Sequence, residues 1–150
     1  MSEHSLWTTT RKALAPYGLL ARTENRVGDG TPDVLYCLQG HTGLMELKHL
    51  PSWPKRQATP VHIAHLTLEQ VLWLESWRDA GGAAWLLLQA GREYLLLTPE
   101  AARMIYERRL TPEALRHARW CAVRAVGRFP VREVVRMLSS QQCYPKSGLN

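Results

Sequence analysis

No apolar run in this chain approaches the roughly 18 residues that a membrane-spanning helix needs. The opening segment, MSEHSLWTTTRK, lacks the basic start and long apolar stretch of a secretory signal. The sequence therefore predicts a cytoplasmic protein without a membrane partner. Neither GxGxxG nor GxxxxGK[ST] occurs, which argues against a nucleotide-phosphate loop and a nucleotide cofactor. Cysteine is scarce. Cys37, Cys121 and Cys143 are odd in number, far apart and without CxxC spacing, so reduced structural thiols are expected. His62 and His65 form an HxxH pair with no third ligand nearby, too little for a zinc site. Internal repeats and low-complexity segments are absent.

What is present suits one globular domain of 150 residues with 45% apolar content. The net charge of +6 is unevenly spread. Residues 1–100 carry 9 Lys/Arg against 10 Asp/Glu, whereas residues 101–150 carry 10 against 3. A basic final third suggests a polyanion partner, nucleic acid first among them.

Leu6 to Tyr17 reads as a helix stopped by Gly18. Leu19 to Val27, Asp33 to Gln39 and Gly43 to His49 read as strands, the last two joined by a hairpin. The hairpin strands are apolar on both faces, which predicts a sheet covered on both sides. A proline-rich loop follows, LPSWPKRQATPVHIAH. Thr67 and Gln70 then form a capping box opening a helix that ends at Gly81-Gly82. Ala83 to Gln89 and Glu93 to Leu97 are further strands. Thr98-Pro99-Glu100 and Thr111-Pro112-Glu113 each read as a helix start, and Pro130 to Leu138 is amphipathic. The order αβββαββ, followed by two to four basic helices, predicts an α/β fold with a mixed central sheet flanked by helices. Residues 1–97 form its core, and residues 98–150 form a helical basic extension packed on the same domain.

The stretch TPDVLYCLQGHTGLMELK places Asp33, Glu46 and Lys48 inside or against apolar runs, where unpaired charge is costly. Glu46 and Lys48 are two apart on a strand and share a face. A two-residue turn at Gly40-His41 pairs Asp33 with Lys48 and puts Asp33 on the same face. A turn one residue longer or shorter reverses this. Two close carboxylates need a proton or a cation between them. Mg²⁺ suits such a pair, with the Leu47 carbonyl as a further oxygen and Lys48 beside a phosphate. The other reading is that Asp33 caps the hairpin while Glu46 and Lys48 make surface pairs.

Pro32-Asp33, then 12 intervening residues, then Glu46-Leu47-Lys48 resembles the PD-(D/E)xK nuclease superfamily. The Gly-rich loop before it and LTLEQVLWLESWRDAGGAAWLLL after it resemble the virus-type replication-repair nuclease branch and, more distantly, Holliday junction resolvases. The likeness spans roughly residues 2 to 97. It implies a restriction-endonuclease-like core and a Mg²⁺- or Mn²⁺-dependent DNA endonuclease. The implied substrate is branched DNA, cut by a homodimer to leave 5′-phosphate and 3′-hydroxyl ends. Asp33, Glu46, Lys48 and Gln70 would be catalytic, with Asp33, Glu46, Leu47 and Glu3 around the metal. For Glu3 the alternative is an exposed acid near the terminus. For Gln70 it is the capping box alone. Glu24 is a second acidic candidate for the metal. Arg22, Arg26, Trp53, Lys55 and Arg56 are candidate nucleic-acid contacts. The competing function is a nucleic-acid-binding protein that keeps the fold without cleaving.

Overall fold

The computed structural model describes residues 2–23 and 30–140. Glu24, Arg26 and Cys143, and the expected end of the first strand at Val27, lie outside the described residues. The order of elements is α1 (Glu3–Leu14), a 3₁₀ turn (Ala15–Tyr17), β1 (Gly18–Arg22), β2 (Val34–Leu38), β3 (His41–Leu50), α2 (Leu68–Asp79), β4 (Ala83–Ala90), β5 (Glu93–Leu97), α3 (Pro99–Tyr106), α4 (Pro112–Leu115), β6 (Cys121–Val126) and α5 (Val131–Leu138). The strands form one six-stranded sheet in chain order. All neighbours are antiparallel except β3 and β4, which are parallel and joined through α2. A parallel pair needs such a crossover, because a tight turn can join only antiparallel strands. The expected mixed sheet flanked by helices is found.

Helix starts follow their local chemistry. Thr98 and Thr111 each accept a backbone N–H three residues on, with proline at the first helical position. Thr67 and Gln70 close the capping box reciprocally. Each sheet face has its own core. Leu6 and Leu14 of α1 and Val134, Val135 and Leu138 of α5 pack on Met45, Leu47, Leu87 and Leu96. Val71 and Leu74 of α2, and Ala101, Ala102 and Ile105 of α3, pack on Leu86, Leu88, Leu95 and Leu97. The central β4 is therefore buried on both faces, as its run of leucines requires.

Two expectations need correction. The hairpin strand β2 is not covered on both sides: Val34, Tyr36 and Leu38 are buried, but Leu35 and Cys37 are exposed. The helices α2 and α3 lie over β4 and β5, leaving the β1–β2 end of that face open, with Leu19 69% exposed. The basic extension is also not wholly helical, since Cys121–Val126 adds a sixth strand to the edge at β5.

That extension is tied to the core at one buried acid. Arg116 donates two hydrogen bonds to Glu93, at 2.9 and 3.0 Å, and Arg124 donates one at 2.6 Å. The Trp53 indole N–H adds another at 3.0 Å, and the Arg116 guanidinium lies 5.1 Å from the centre of the Trp53 ring. Burial alone would raise the Glu93 pKa, but the hydrogen bonds from Arg116, Arg124 and Trp53 overcome it and hold the group at about 2. A folded pKa below the unfolded one gives stability that is present above about 4.5 and lost as pH falls through about 2. Glu93→Gln is expected to cost roughly 1–3 kcal/mol at pH 7, discounted for the partly exposed arginines. Chemical denaturation from pH 7 down to pH 2 checks it: the gap between wild type and variant should close as the pH falls.

Candidate active site

The β2–β3 connection is Gln39-Gly40, since Leu38 pairs with His41. Both residues have positive φ, 50° and 85°, as a type I′ hairpin requires. The turn thus sits one residue earlier than Gly40-His41, and the register moves by two. Val34 opposes Met45, and continuing one step sets Asp33 opposite Glu46 rather than Lys48. A slip of two preserves the face, because side chains alternate with a period of two. Asp33, Glu46 and Lys48 therefore share the face on which α2 packs, where Glu46 pairs with Leu86 and Lys48 with Leu88.

Two hydrogen bonds lock the opposed acids together. The Asp33 N–H donates to Glu46 Oε2 at 3.2 Å, and the Leu47 N–H donates to Asp33 Oδ2 at 2.9 Å. The other Glu46 oxygen, Oε1, takes the Gln70 Nε2 amide at 2.8 Å and the Lys48 Nζ at 3.2 Å. Lys48 also reaches Glu3 Oε1 at 3.5 Å. Glu46 is wholly buried, and Lys48 is 3% exposed. Burial, then the Asp33 charge, pushes the Glu46 pKa up to about 9, against the opposing pull of Lys48.

Gln70 closes the capping box and at the same time reaches Glu46. Its Oε1 accepts the Thr67 N–H at 3.0 Å, closing the cap, while its Nε2 donates to Glu46. The cap thereby fixes the orientation of the amide, which presents its NH₂ to the carboxylate. Glu3 sits in the first turn of α1, beyond the Ser2 N-cap, and meets the site through Lys48 rather than through the other acids.

Residues without a sequence signal complete the frame. The Thr23 N–H donates to the Asp33 carbonyl at 2.8 Å, and its hydroxyl donates to the Pro32 carbonyl. Gly30, at φ +84°, lies so close to Glu69 that an added Cβ would stand 2.5 Å from the Glu69 backbone. The segment leading to Asp33 therefore rests on the first turn of α2, next to Gln70. The other candidates lie apart from this cluster. Arg22 pairs with Val34 and so projects from the opposite face to Asp33. The Trp53 indole is committed to Glu93. Lys55 and Arg56 are exposed in the loop after β3.

Among the described residues no group of three or more His, Cys, Asp or Glu side chains gathers to hold a metal. The donor set is narrower: two opposed carboxylates, one pushed toward protonation by burial and by its neighbour. Such a pair fits a hard divalent ion that takes one or two carboxylates and keeps several waters.

No family model matches the chain, and no curated protein matches it. Among solved structures it is similar to Hjc of Archaeoglobus fulgidus, a Holliday junction resolvase from an archaeal hyperthermophile. The match has 20% identity and a TM-score of 0.42, and covers 66% of this chain and 70% of that one. Fold and site together define an α/β mixed-sheet protein with a pair of opposed carboxylates, Glu46 buried and Asp33 partly so, and a buried lysine beside them.

Because the folded Glu46 pKa lies above its ordinary 4.5, the cation-free protein loses stability as pH rises from about 4.5 to about 9. Asp33→Asn keeps an acceptor for the Leu47 N–H while removing the second charge. It should stabilise the cation-free protein at pH 8 by roughly 1 kcal/mol, a rise of about 2–4 °C in Tm. The fall toward alkaline pH should flatten in part, since burial of Glu46 remains. Thermal melts in EDTA at pH 6 and pH 8.5 check both points.

Proposed function

We propose that this chain is a Mg²⁺- or Mn²⁺-dependent DNA endonuclease that hydrolyses phosphodiester bonds, with branched DNA as its substrate. The observation that carries this reading is the cluster itself. Asp33 and Glu46 oppose each other across β2 and β3, and the Lys48 amine lies 3.2 Å from Glu46 on the same face. The spacing Pro32-Asp33 … Glu46-Leu47-Lys48, which resembles the PD-(D/E)xK pattern, supports the same chemistry.

Asp33 and Glu46 would hold the divalent ion, with the Leu47 carbonyl beside them. The ion would supply Lewis-acid activation of phosphate and water. The rest falls to the chain's own residues. The Lys48 ammonium donates hydrogen bonds and offsets charge that grows on the phosphate oxygens as the bond to phosphorus changes. Gln70 keeps Glu46 oriented through its fixed amide. The Thr23 clamp keeps the Asp33 backbone in place, so little reorganisation is needed when substrate arrives. Water oxygen becomes bonded to phosphorus, the bond to the 3′ oxygen breaks, and the ends are 5′-phosphate and 3′-hydroxyl.

The test is a substrate panel of linear, nicked, flap, splayed-arm, four-way-junction and single-stranded DNA, each with Mg²⁺, Mn²⁺ or EDTA. Cleavage is expected with either metal and not with EDTA. Asp33→Asn should lower it by roughly 10²–10³-fold while leaving DNA affinity in EDTA nearly unchanged. Binding without cleavage of any substrate would favour a non-catalytic nucleic-acid-binding protein. Unimpaired cutting by Asp33→Asn would overturn the assignment of the site.

A further inference from the structure

On the opposite side of the sheet an open cleft of about 450 Å³ is lined by Tyr17, Gln39, Arg132, Val135, Arg136, Ser139 and Ser140. Its chemistry is one-sided. Arg132 and Arg136 stand one turn apart on α5, about 5–6 Å between their Cβ atoms. Both are exposed, and among the described residues neither has a carboxylate partner. Glu133, the one acid of α5, does not line the cleft. Four other arginines are held closely by acids: Arg78 by Glu100, Arg103 by Glu75, and Arg116 and Arg124 by Glu93. Among the described residues the α5 pair has no such acid beside it, which leaves both guanidiniums available to an anion.

The anchoring of α5 is firm. Val134, Val135 and Leu138 are buried in the core under α1 and α5, so the arginines are carried on a fixed helix. Gln39 faces them from the hairpin turn, where it adopts φ 50° and its N–H donates to the Tyr17 carbonyl at 3.3 Å. A non-glycine residue there is uncommon, and the position sets Gln39 at the lip of the cleft.

We infer that this cleft binds a phosphate of a nucleic-acid backbone, as a contact separate from the Asp33–Glu46 site. Two guanidiniums at this spacing hydrogen-bond phosphate oxygens in a planar, charge-assisted way, and no neighbouring carboxylate opposes them. The inference rests on the reading of the chain as a DNA-acting protein. The carboxylate cluster lies on the α2 face of the sheet and the cleft on the α5 face, so one nucleic acid held at both must reach round the sheet. A branched molecule meets that demand with two arms.

The test measures binding to a four-way junction and to linear duplex in EDTA, from 50 to 300 mM salt, so that cleavage plays no part. Arg132→Ala/Arg136→Ala should weaken junction binding roughly tenfold near 0.1 M salt and lower the salt slope by about 0.9, the value for one lost phosphate contact. Arg132→Lys/Arg136→Lys should retain most of the slope. Arg108→Ala/Arg109→Ala removes equal charge from a distant exposed turn and should do far less. With Mg²⁺, the alanine pair should raise KM with kcat little changed. Wild-type binding matched by the alanine pair would overturn the inference and leave the cleavage site standing. Equal loss from Arg108→Ala/Arg109→Ala would overturn it in favour of bulk charge. Failure of the wild type to bind any DNA would overturn the DNA reading, and this inference with it.

Discussion

Two carboxylates facing each other across a hairpin, one of them wholly buried, are the constraint around which this molecule is arranged. Two carboxylates this close resist ionising together, and burial of Glu46 adds to that cost. Nothing in the packing of the sheet requires that cost, because an apolar pair would serve β2 and β3 better. The surrounding groups offset it. Lys48 and Gln70 both donate to Glu46, and the Leu47 and Asp33 N–H groups each donate across the hairpin. Even so, Glu46 stays far above its ordinary pKa. A protein that keeps such a pair retains local strain at a site, as functional sites commonly do.

The remainder of the fold holds that pair in place. The type I′ turn sets the register, and the Thr23 hydrogen bonds hold the strand end. The α2 cap fixes the Gln70 amide, and the Gly30–Glu69 contact brings the preceding loop against the same helix turn. Farther along the same face, Glu93 gathers Trp53, Arg116 and Arg124. This binds the loop that leaves β3 to the C-terminal third of the chain, so two of the arginines in that basic region are structural. The basic character left over for a partner is correspondingly narrower than the net charge of +6 suggests.

Much of this was legible in the sequence, and the failures have physical causes. The capping box, the Thr-Pro-Glu helix starts and the amphipathic α5 follow local rules, and each appears where its pattern lies. The shared face of Asp33, Glu46 and Lys48 was predicted with the wrong turn. It survives because a two-residue slip leaves parity unchanged. Leu35 and Cys37 looked buried because composition does not reveal how far the neighbouring helices reach. The strand β6 was read within a helical region because its edge position leaves only part of it buried and helix signals flank it on both sides in sequence. Thr23 and Glu93 carried no local signal, since their partners lie 9 to 40 residues away in sequence.

The most direct measurement is the anomalous diffraction of crystals grown with Mn²⁺. A single peak should lie between the Asp33 and Glu46 carboxylates, bonded to an oxygen of each, and should vanish in Asp33→Asn. Crystals saturated with Mn²⁺ that show no peak there, with Glu46 still bound only by its protein partners, would contradict the account.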